Sequence, residues 1–334
     1  MVQIFMNVPR TAFCMAHLFH VCTVAVAAFV TSSGVAAPWQ VHAKPEQGRV
    51  EILLDGEQFA TYVYENPEIP RPYFANVIVP GGIKVTRNHP PAHGDSDDHD
   101  KMHTGIWLAF GDLSGQDYWR LKAPIEHVRF VLKPQIDGDV LRFSIENLYL
   151  THDRAAEVCR EMCKYEFHRV SDGVLLVQDS EFSSAHDSFY FGDQEEMGLG
   201  VRLATPVAVV SGNGGRIFNS EGKVNEAEVW STSAEWCDYS GPLAGKFVGM
   251  TIMPHPDNFR RAWCHARDSG FMAMNPFGRN AFTGGEKSKV VVPAGEEFRL
   301  GYGALIHWHD AAEDLDVARG YNAYLQLVVE PASN

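Results

Sequence analysis

Glu157-Val-Cys-Arg-Glu-Met-Cys-Lys-Tyr-Glu-Phe-His-Arg-Val170, then Ser171-Asp-Gly173, then Val174-Leu-Leu-Val-Gln-Asp-Ser-Glu-Phe182 is the stretch that decides the fold. Polar and apolar residues alternate along both arms, the period of a strand with one buried face, and Ser-Asp-Gly between them is a turn. Cys159 and Cys163 share a parity on the first arm; four strand residues span about 13 Å, too far for a disulfide between them.

The same pattern recurs outward from there. Val50 to Val63 is two arms around Asp55-Gly56, and Asn76–Val79 and Ile83–Val85 enclose Pro80-Gly-Gly82. Val128–Leu132 and Val140–Leu150 flank Asp137-Gly138, and Val290–Val292 and Phe298–His307 flank Pro293-Ala-Gly295. Turn signals come roughly every 10 to 15 residues, the spacing of an all-β sandwich or barrel. One segment reads as helix: Ala311 to Val328 brings Leu315, Ala318, Tyr321 or Ala323, Tyr324 and Leu325 to one face and starts with acidic residues. The expectation is a large antiparallel β-sandwich in one domain over residues 38–330, with a C-terminal helix packed on it.

Residues 1–36 read as a secretory signal peptide. They hold one basic residue, Arg10, no acid, and the apolar run Val21–Val30 followed by small residues. Cleavage is placed after Ala36, which makes the protein periplasmic or extracellular. Removing Arg10 takes the net charge from −14 to −15. A chain this acidic, with no lysine-rich or arginine-rich run, is not built for nucleic acid or anionic lipid, and nothing after residue 36 is apolar enough to span a membrane. Cys14 and Cys22 leave with the leader. Of the remaining Cys159, Cys163, Cys237 and Cys264, a Cys237–Cys264 bridge is left open.

Titratable groups concentrate in Asn88-His-Pro-Pro-Ala-His-Gly-Asp-Ser-Asp-Asp-His-Asp-Lys-Met-His-Thr-Gly-Ile-Trp107. A polar loop feeding a core strand is a common way to hold an active site still. His99 and His103 are four apart and share a face on a helical turn, where they suit acid–base work; with Asp98, Asp100 or His89 they are also an alternative site for zinc, copper or calcium. Asp112 and the aromatics Trp107 and Trp119 follow, a pairing of flat apolar faces and polar groups that suits a sugar ring. Glu195 and Glu196 beside Gly198, and Glu221 after Asn219, are candidate bases. Arg202, His255, His265, Arg267 and Asn275 supply donors for hydroxyls or a carboxylate. There is no Walker loop, dinucleotide glycine pattern, His-Glu-x-x-His or Gly-x-Ser-x-Gly elbow, which sets aside nucleotide and serine-hydrolase chemistry.

Asp98-His99-x-x-Met-His103-x-Gly-x-Trp107-Leu-Ala-Phe-Gly-Asp112, Asn219-Ser-Glu-Gly222, Trp236-x-Asp-Tyr-Ser-Gly241, His255-Pro-x-x-Asn258 and Asn275-Pro-Phe-Gly278 resemble the methane oxygenase PmoA-like family of secreted bacterial proteins. The likeness runs over nearly all of the mature chain. Many members carry His-Pro-His-His where this chain has His99-Asp-Lys-Met-His103, so Met102 stands in place of a histidine. The resemblance implies an exported protein in a sugar-related setting. The activity in the family's name does not carry over, because a methane monooxygenase subunit spans the membrane many times. The expected fold is also similar to the supersandwiches of aldose epimerases and some polysaccharide lyases.

The leading expectation is a carbohydrate-active enzyme, needing no cofactor, acting on a small or oligomeric sugar. His103 or His99 would be the general acid and Glu195, Glu196 or Glu221 the base, with glycoside cleavage ahead of elimination and epimerisation. The alternatives are a metal-binding protein using His99 and His103, and a non-catalytic sugar-binding module. The enzyme reading asks that His103, Trp107, Glu221 and His265 converge on one pocket.

Overall fold

The structure, a computed structural model, describes Met1, Gln3 and residues 38–329. The signal peptide expected over residues 1–36, its cleavage point and Cys14 and Cys22 therefore lie outside the described residues. Residues 38–329 belong to one compact unit. Among the described residues, no helix is long and apolar enough to cross a membrane.

The opening hairpin pairs as its alternation requires, with Arg160 opposite Ser183 and Val170 opposite Gly173. It sits inside an eight-stranded sheet ordered Arg216–Asn219, Cys237–Leu243, Lys246–Pro254, Glu297–His309, Gly173–Ser183, Glu157–Val170, Val140–Leu150, Ile125–Asp137. A second eight-stranded sheet runs Trp39–Lys44, Arg49–Leu54, Glu57–Val63, Tyr73–Ala75, Ile106–Phe110, Met197–Arg202, Phe271–Asn275, Trp263–Arg267. Neighbouring strands in both are antiparallel. This is the all-β sandwich with a C-terminal helix that the turn spacing and period two required.

Period two also divides the side chains between faces. Ile106, Leu108 and Phe110 enter the core between the sheets, with Cys159, Cys163, Tyr165 and Phe167 from the facing sheet. Trp107 and Ala109 turn to the outer face of their sheet and join Trp119, Phe271, Ala273, Tyr73 and Ile69 in a separate buried cluster. That outer face carries the candidate site.

Three expectations are corrected. Val290–Val292 does not fold back on the strand that follows Pro293-Ala-Gly295; it pairs with Phe189–Phe191 in a small two-stranded sheet. The C-terminal helix is shorter than Ala311 to Val328. It runs Val317–Val328, because the Asp316 side chain accepts from the Arg319 amide and caps it there. It buries Val317, Gly320 and Tyr324, with Tyr321 packed alongside; Tyr324 and Tyr321 are from the expected face, while Ala318 is exposed. Cys237 and Cys264 are buried free thiols, so the bridge left open between them is not formed.

Candidate active site

Four adjacent strands present every second residue to the outer face of their sheet. Trp107 comes from Ile106–Phe110, Gly200 and Arg202 from Met197–Arg202, Phe271 and Asn275 from Phe271–Asn275, and His265 and Arg267 from Trp263–Arg267. Gly200 has to lack a side chain: a Cβ there would come within 2.7 Å of the Trp107 ring and 3.0 Å of Trp119. The two indoles thus lie across the strand, at 5.4 Å and 68° to each other.

The His/Asp loop closes over this floor, held by buried arginines. Arg87 donates to the carbonyls of Ser96, Asp98 and His103 at 3.0, 2.8 and 2.9 Å. Arg71 donates to the carbonyls of Trp119 and Met102 and lies 5.2 Å from the Trp107 ring. A planar guanidinium fork suits several fixed carbonyls at once, which makes an irregular loop rigid. Within the loop the His103 amide donates to the His99 carbonyl at 2.8 Å, a single helical turn that sets the two imidazoles 5.0 Å apart.

The result is a cavity of about 170 Å³ lined by Asp98, His99, Met102, His103, Trp119, Arg120, Glu195, Glu196, Arg202, His265, Arg267, Ser269 and Phe271. His103 stacks on Trp107 at 5.0 Å and 14° and on Phe271 at 4.6 Å and 10°. Its Nδ1 is buried without a hydrogen-bond partner. Burial, reinforced by the charges of Arg202, His99, Arg71 and Arg87, pushes its pKa down to about 2. His265 is brought down to about 3, by burial and then by Arg267, and Arg120 adds to the effect. Both imidazoles are therefore neutral at neutral pH, and the expected role of His103 as a protonated general acid is corrected on that ground.

His265 has a defined tautomer. Its Nδ1 lies 3.0 Å from the Glu195 carbonyl oxygen, which accepts, so Nδ1 carries the hydrogen and Nε2 is the basic nitrogen. Nε2 in turn faces Glu195 Oε2 at 3.5 Å. The hydrogen bond to the Glu195 carbonyl favours a charged ring, yet burial and the two arginines outweigh it.

Each carboxylate of the cavity also has an arginine. Arg202 forks onto Asp98, Arg267 Nη2 reaches Glu195 Oε2 at 3.2 Å, and Arg120 Nη2 reaches Glu196 Oε2 at 2.6 Å. At Asp98, burial pulls the pKa upward, but the Ser96 hydroxyl and Arg202 prevail and hold it at about 2. Asn275 is buried and positions this edge: its Nδ2 donates to the carbonyls of Gln194 and Glu195, and its Oδ1 accepts from the amides of Phe277 and Gly278.

Of the residues singled out from sequence, His99, His103, Trp119, Glu195, Glu196, Arg202, His265 and Arg267 line this cavity, while Trp107 backs His103 and Asn275 holds the Glu195 loop. The rest lie elsewhere. Glu221 is paired with Arg261, and Asn219 uses its Oδ1 to close the turn through the amides of Glu221 and Lys223. Asp112 caps a turn through the Gly115 amide, and His255 lines a groove on the other sheet beside the C-terminal helix. For the alternative metal site at His99 and His103, no group of three or more His, Cys, Asp or Glu side chains among the described residues is placed to hold an ion. Arg71, Arg87, Arg120 and Phe271 were not singled out. Arg71 and Arg87 flank the His loop in sequence, but nothing in their own neighbourhood signals burial.

Residues 49–320 match the model of a family of unknown function (DUF6807), and the chain belongs to that family. No protein of curated description matches it. Among solved structures it is similar to a galactose mutarotase-like protein from Lactobacillus casei, at TM-score 0.38 and 8% identity, covering 81% of this chain and 100% of that one. A galactose mutarotase-like protein from Clostridium acetobutylicum aligns at TM-score 0.37 and 7% identity, covering 82% and 98%. The 4-alpha-glucanotransferase from Thermococcus litoralis aligns at 0.31 and 11%, covering 80% of this chain and 39% of that one.

Proposed function

We propose that this member of a family of unknown function is an exported carbohydrate-active enzyme that works by proton transfer from and to imidazole. The observation that carries the reading is that two buried neutral imidazoles, His103 and His265, face one small cavity with three arginine-paired carboxylates and an aromatic wall. A sugar ring has an apolar C–H face for Trp119 and Phe271 and hydroxyls for the carboxylates and arginines. His103, neutral and with its buried Nδ1 unpaired, is the group placed to take a proton once substrate charge offsets the arginines that hold its pKa down. His265, its Nδ1–H held by the Glu195 carbonyl, offers Nε2 beside the Glu195 carboxylate as the second group able to take a proton. The leader-like run Val21–Val30 and the PmoA-like motif order support export and a sugar-related setting.

Within that class the geometry favours epimerisation or elimination over the glycoside cleavage expected from sequence. A glycosidase needs a carboxylic acid kept protonated by apolar surroundings. Asp98, Glu195 and Glu196 each lie against an arginine instead, and the groups free to take a proton are imidazoles.

The test is a panel of aldoses, keto-sugars, sugar acids and oligosaccharides, followed by proton NMR with wild type and His103→Ala. Turnover of at least one sugar is expected, with loss of about 10²–10⁴-fold in kcat for the variant. Unchanged turnover in His103→Ala removes His103 from the mechanism, and glycoside cleavage without epimerised or unsaturated product refutes the reaction class.

A further inference from the structure

We infer that the sugar this cavity takes carries a carboxylate, a uronic acid, seated against Arg202; the inference rests on the sugar reading and names the substrate class within it. Three guanidinium groups lie beneath the cavity with almost no solvent contact: Arg71 at 2% exposure, Arg87 at 2% and Arg202 at 1%. Among the described residues, Arg71 has no carboxylate within ion-pair distance; its Nη groups donate to two backbone carbonyls. Arg87 and Arg202 both turn to the same acid, Asp98, whose side chain is 41% exposed. The floor thus sets three buried cations against one carboxylate within ion-pair distance, which water already screens, with Asp95, Asp100 and Asp117 acting from farther off.

At the rim the count runs the other way, two arginines against four carboxylates, so it is depth and not formal charge that distinguishes the floor. Arg120 is matched by Glu196 and Asp117, and Arg267 by Glu195 and Glu226. Charges buried in a low-dielectric interior act more strongly than those at a wet rim, so the floor sets the sign of the potential in the cavity. An acidic chain, −14 overall, has gathered its buried positive charge at one place.

Of the three, Arg202 lines the cavity. Asp98 takes two of its five N–H groups, which leaves donors to face a ligand. A planar carboxylate fits a guanidinium edge, while Arg71 and Arg87, out of contact, supply field. A cavity of about 170 Å³ is the size of one sugar ring, so the charged group and the ring are on the same residue of the substrate.

The experiment is isothermal titration calorimetry of the full mature chain with D-glucuronate and D-galacturonate against D-glucose and D-galactose, with glucose 6-phosphate as a further arm. One uronate is expected to bind at least ~10-fold tighter than its neutral counterpart, with the preference shrinking at high salt. Arg71→Met is expected to bring the preference to within about threefold, and Asp98→Asn, at a half-exposed position, to widen it. The second variant keeps the inference testable if the first does not fold. Equal binding of acid and neutral sugars, or an Asp98→Asn preference no wider than wild type, overturns the inference alone. Tighter binding of glucose 6-phosphate than of either uronate overturns the carboxylate assignment. Binding of no sugar at all overturns the sugar reading, and this inference with it.

Discussion

Replacing His103 by Phe tests the electrostatics of the cavity without touching its shape. A phenyl ring keeps the stacking on Trp107 and Phe271 but does not titrate. In the wild type the folded His103 has its pKa at about 2, against an ordinary value of 6.5 in the unfolded chain. The sign follows from linkage: below pH 6.5 the unfolded chain binds a proton at this residue that the folded chain refuses, so stability is full above pH 6.5 and falls as pH drops. Each pH unit is worth about 1.36 kcal/mol per such group. Acidification from pH 6.5 to 5 therefore removes about 2 kcal/mol through His103, and about as much again through His265, held at about 3. His103→Phe is expected to lose about 2 kcal/mol less than wild type over that interval, whatever its stability at pH 7. Urea denaturation at pH 7, 6 and 5, fitted with a common m-value, measures the difference. Equal acid sensitivity in the two proteins, within about 0.5 kcal/mol, refutes the claim that burial and the arginines keep His103 neutral.

Further outcomes follow from the same geometry. Glu195→Gln removes the carboxylate beside His265 and is expected to lower kcat about 10²-fold or more, whereas Glu221→Gln, at the Arg261 ion pair outside the cavity, leaves kcat/KM within about twofold in the same NMR assay. Gly200→Ala drives a methyl group into Trp107 and Trp119 and is expected to cost about 1–3 kcal/mol by urea denaturation and to shift the tryptophan fluorescence. Asn275→Ala removes four hydrogen bonds to a buried loop, with an expected cost of about 2–4 kcal/mol and a rise in KM for the sugar as Glu195 loosens.

The sheets were legible because alternation and turns are local signals. Asp55-Gly56, Asp137-Gly138 and Ser171-Asp-Gly173 each join strands that pair directly. Pro293-Ala-Gly295 misled because the same local cue is satisfied by a bend: Val290–Val292 finds its partner a hundred residues earlier, at Phe189–Phe191. The candidate site was legible where a polar group stands at an outward strand position, as at Arg202 and His265, or in a loop dense in titratable groups, as at His103 and Glu195. Glu221 and Asn219 carry the same local mark, a polar residue beside a glycine turn, but the turn itself uses up the asparagine and an arginine takes the acid. Arg71 and Arg87 were invisible for the opposite reason. An arginine in a sequence is ordinarily read as solvated surface, and only the fold shows these two facing backbone carbonyls in the interior.

Period two says that a strand has two faces but not what covers each, and here the covering decides where chemistry can occur. On the sheet that holds Glu297–His309, helix Val317–Val328 lies against the outer face through matched gaps. A Cβ at Gly303 would come within 2.8 Å of the Tyr324 ring, and one at Gly320 within 2.5 Å of Leu305. Tyr324 then buries itself with Leu175, Met253 and Leu305. On the other sheet a glycine again admits aromatics, but Gly200 admits indoles from its own strand neighbour and from an adjoining loop, not from a helix. A helix brings its own satisfied backbone and seals a face with side chains alone. A loop brings unpaired carbonyls that need donors, and this fold supplies them from Arg71 and Arg87. The positive charge that suits the cavity to an anion is therefore a direct consequence of covering that face with a loop. Removing either arginine is a change in loop structure and in ligand preference at once, which is why the Asp98→Asn variant, altering charge at an exposed edge, is the cleaner probe.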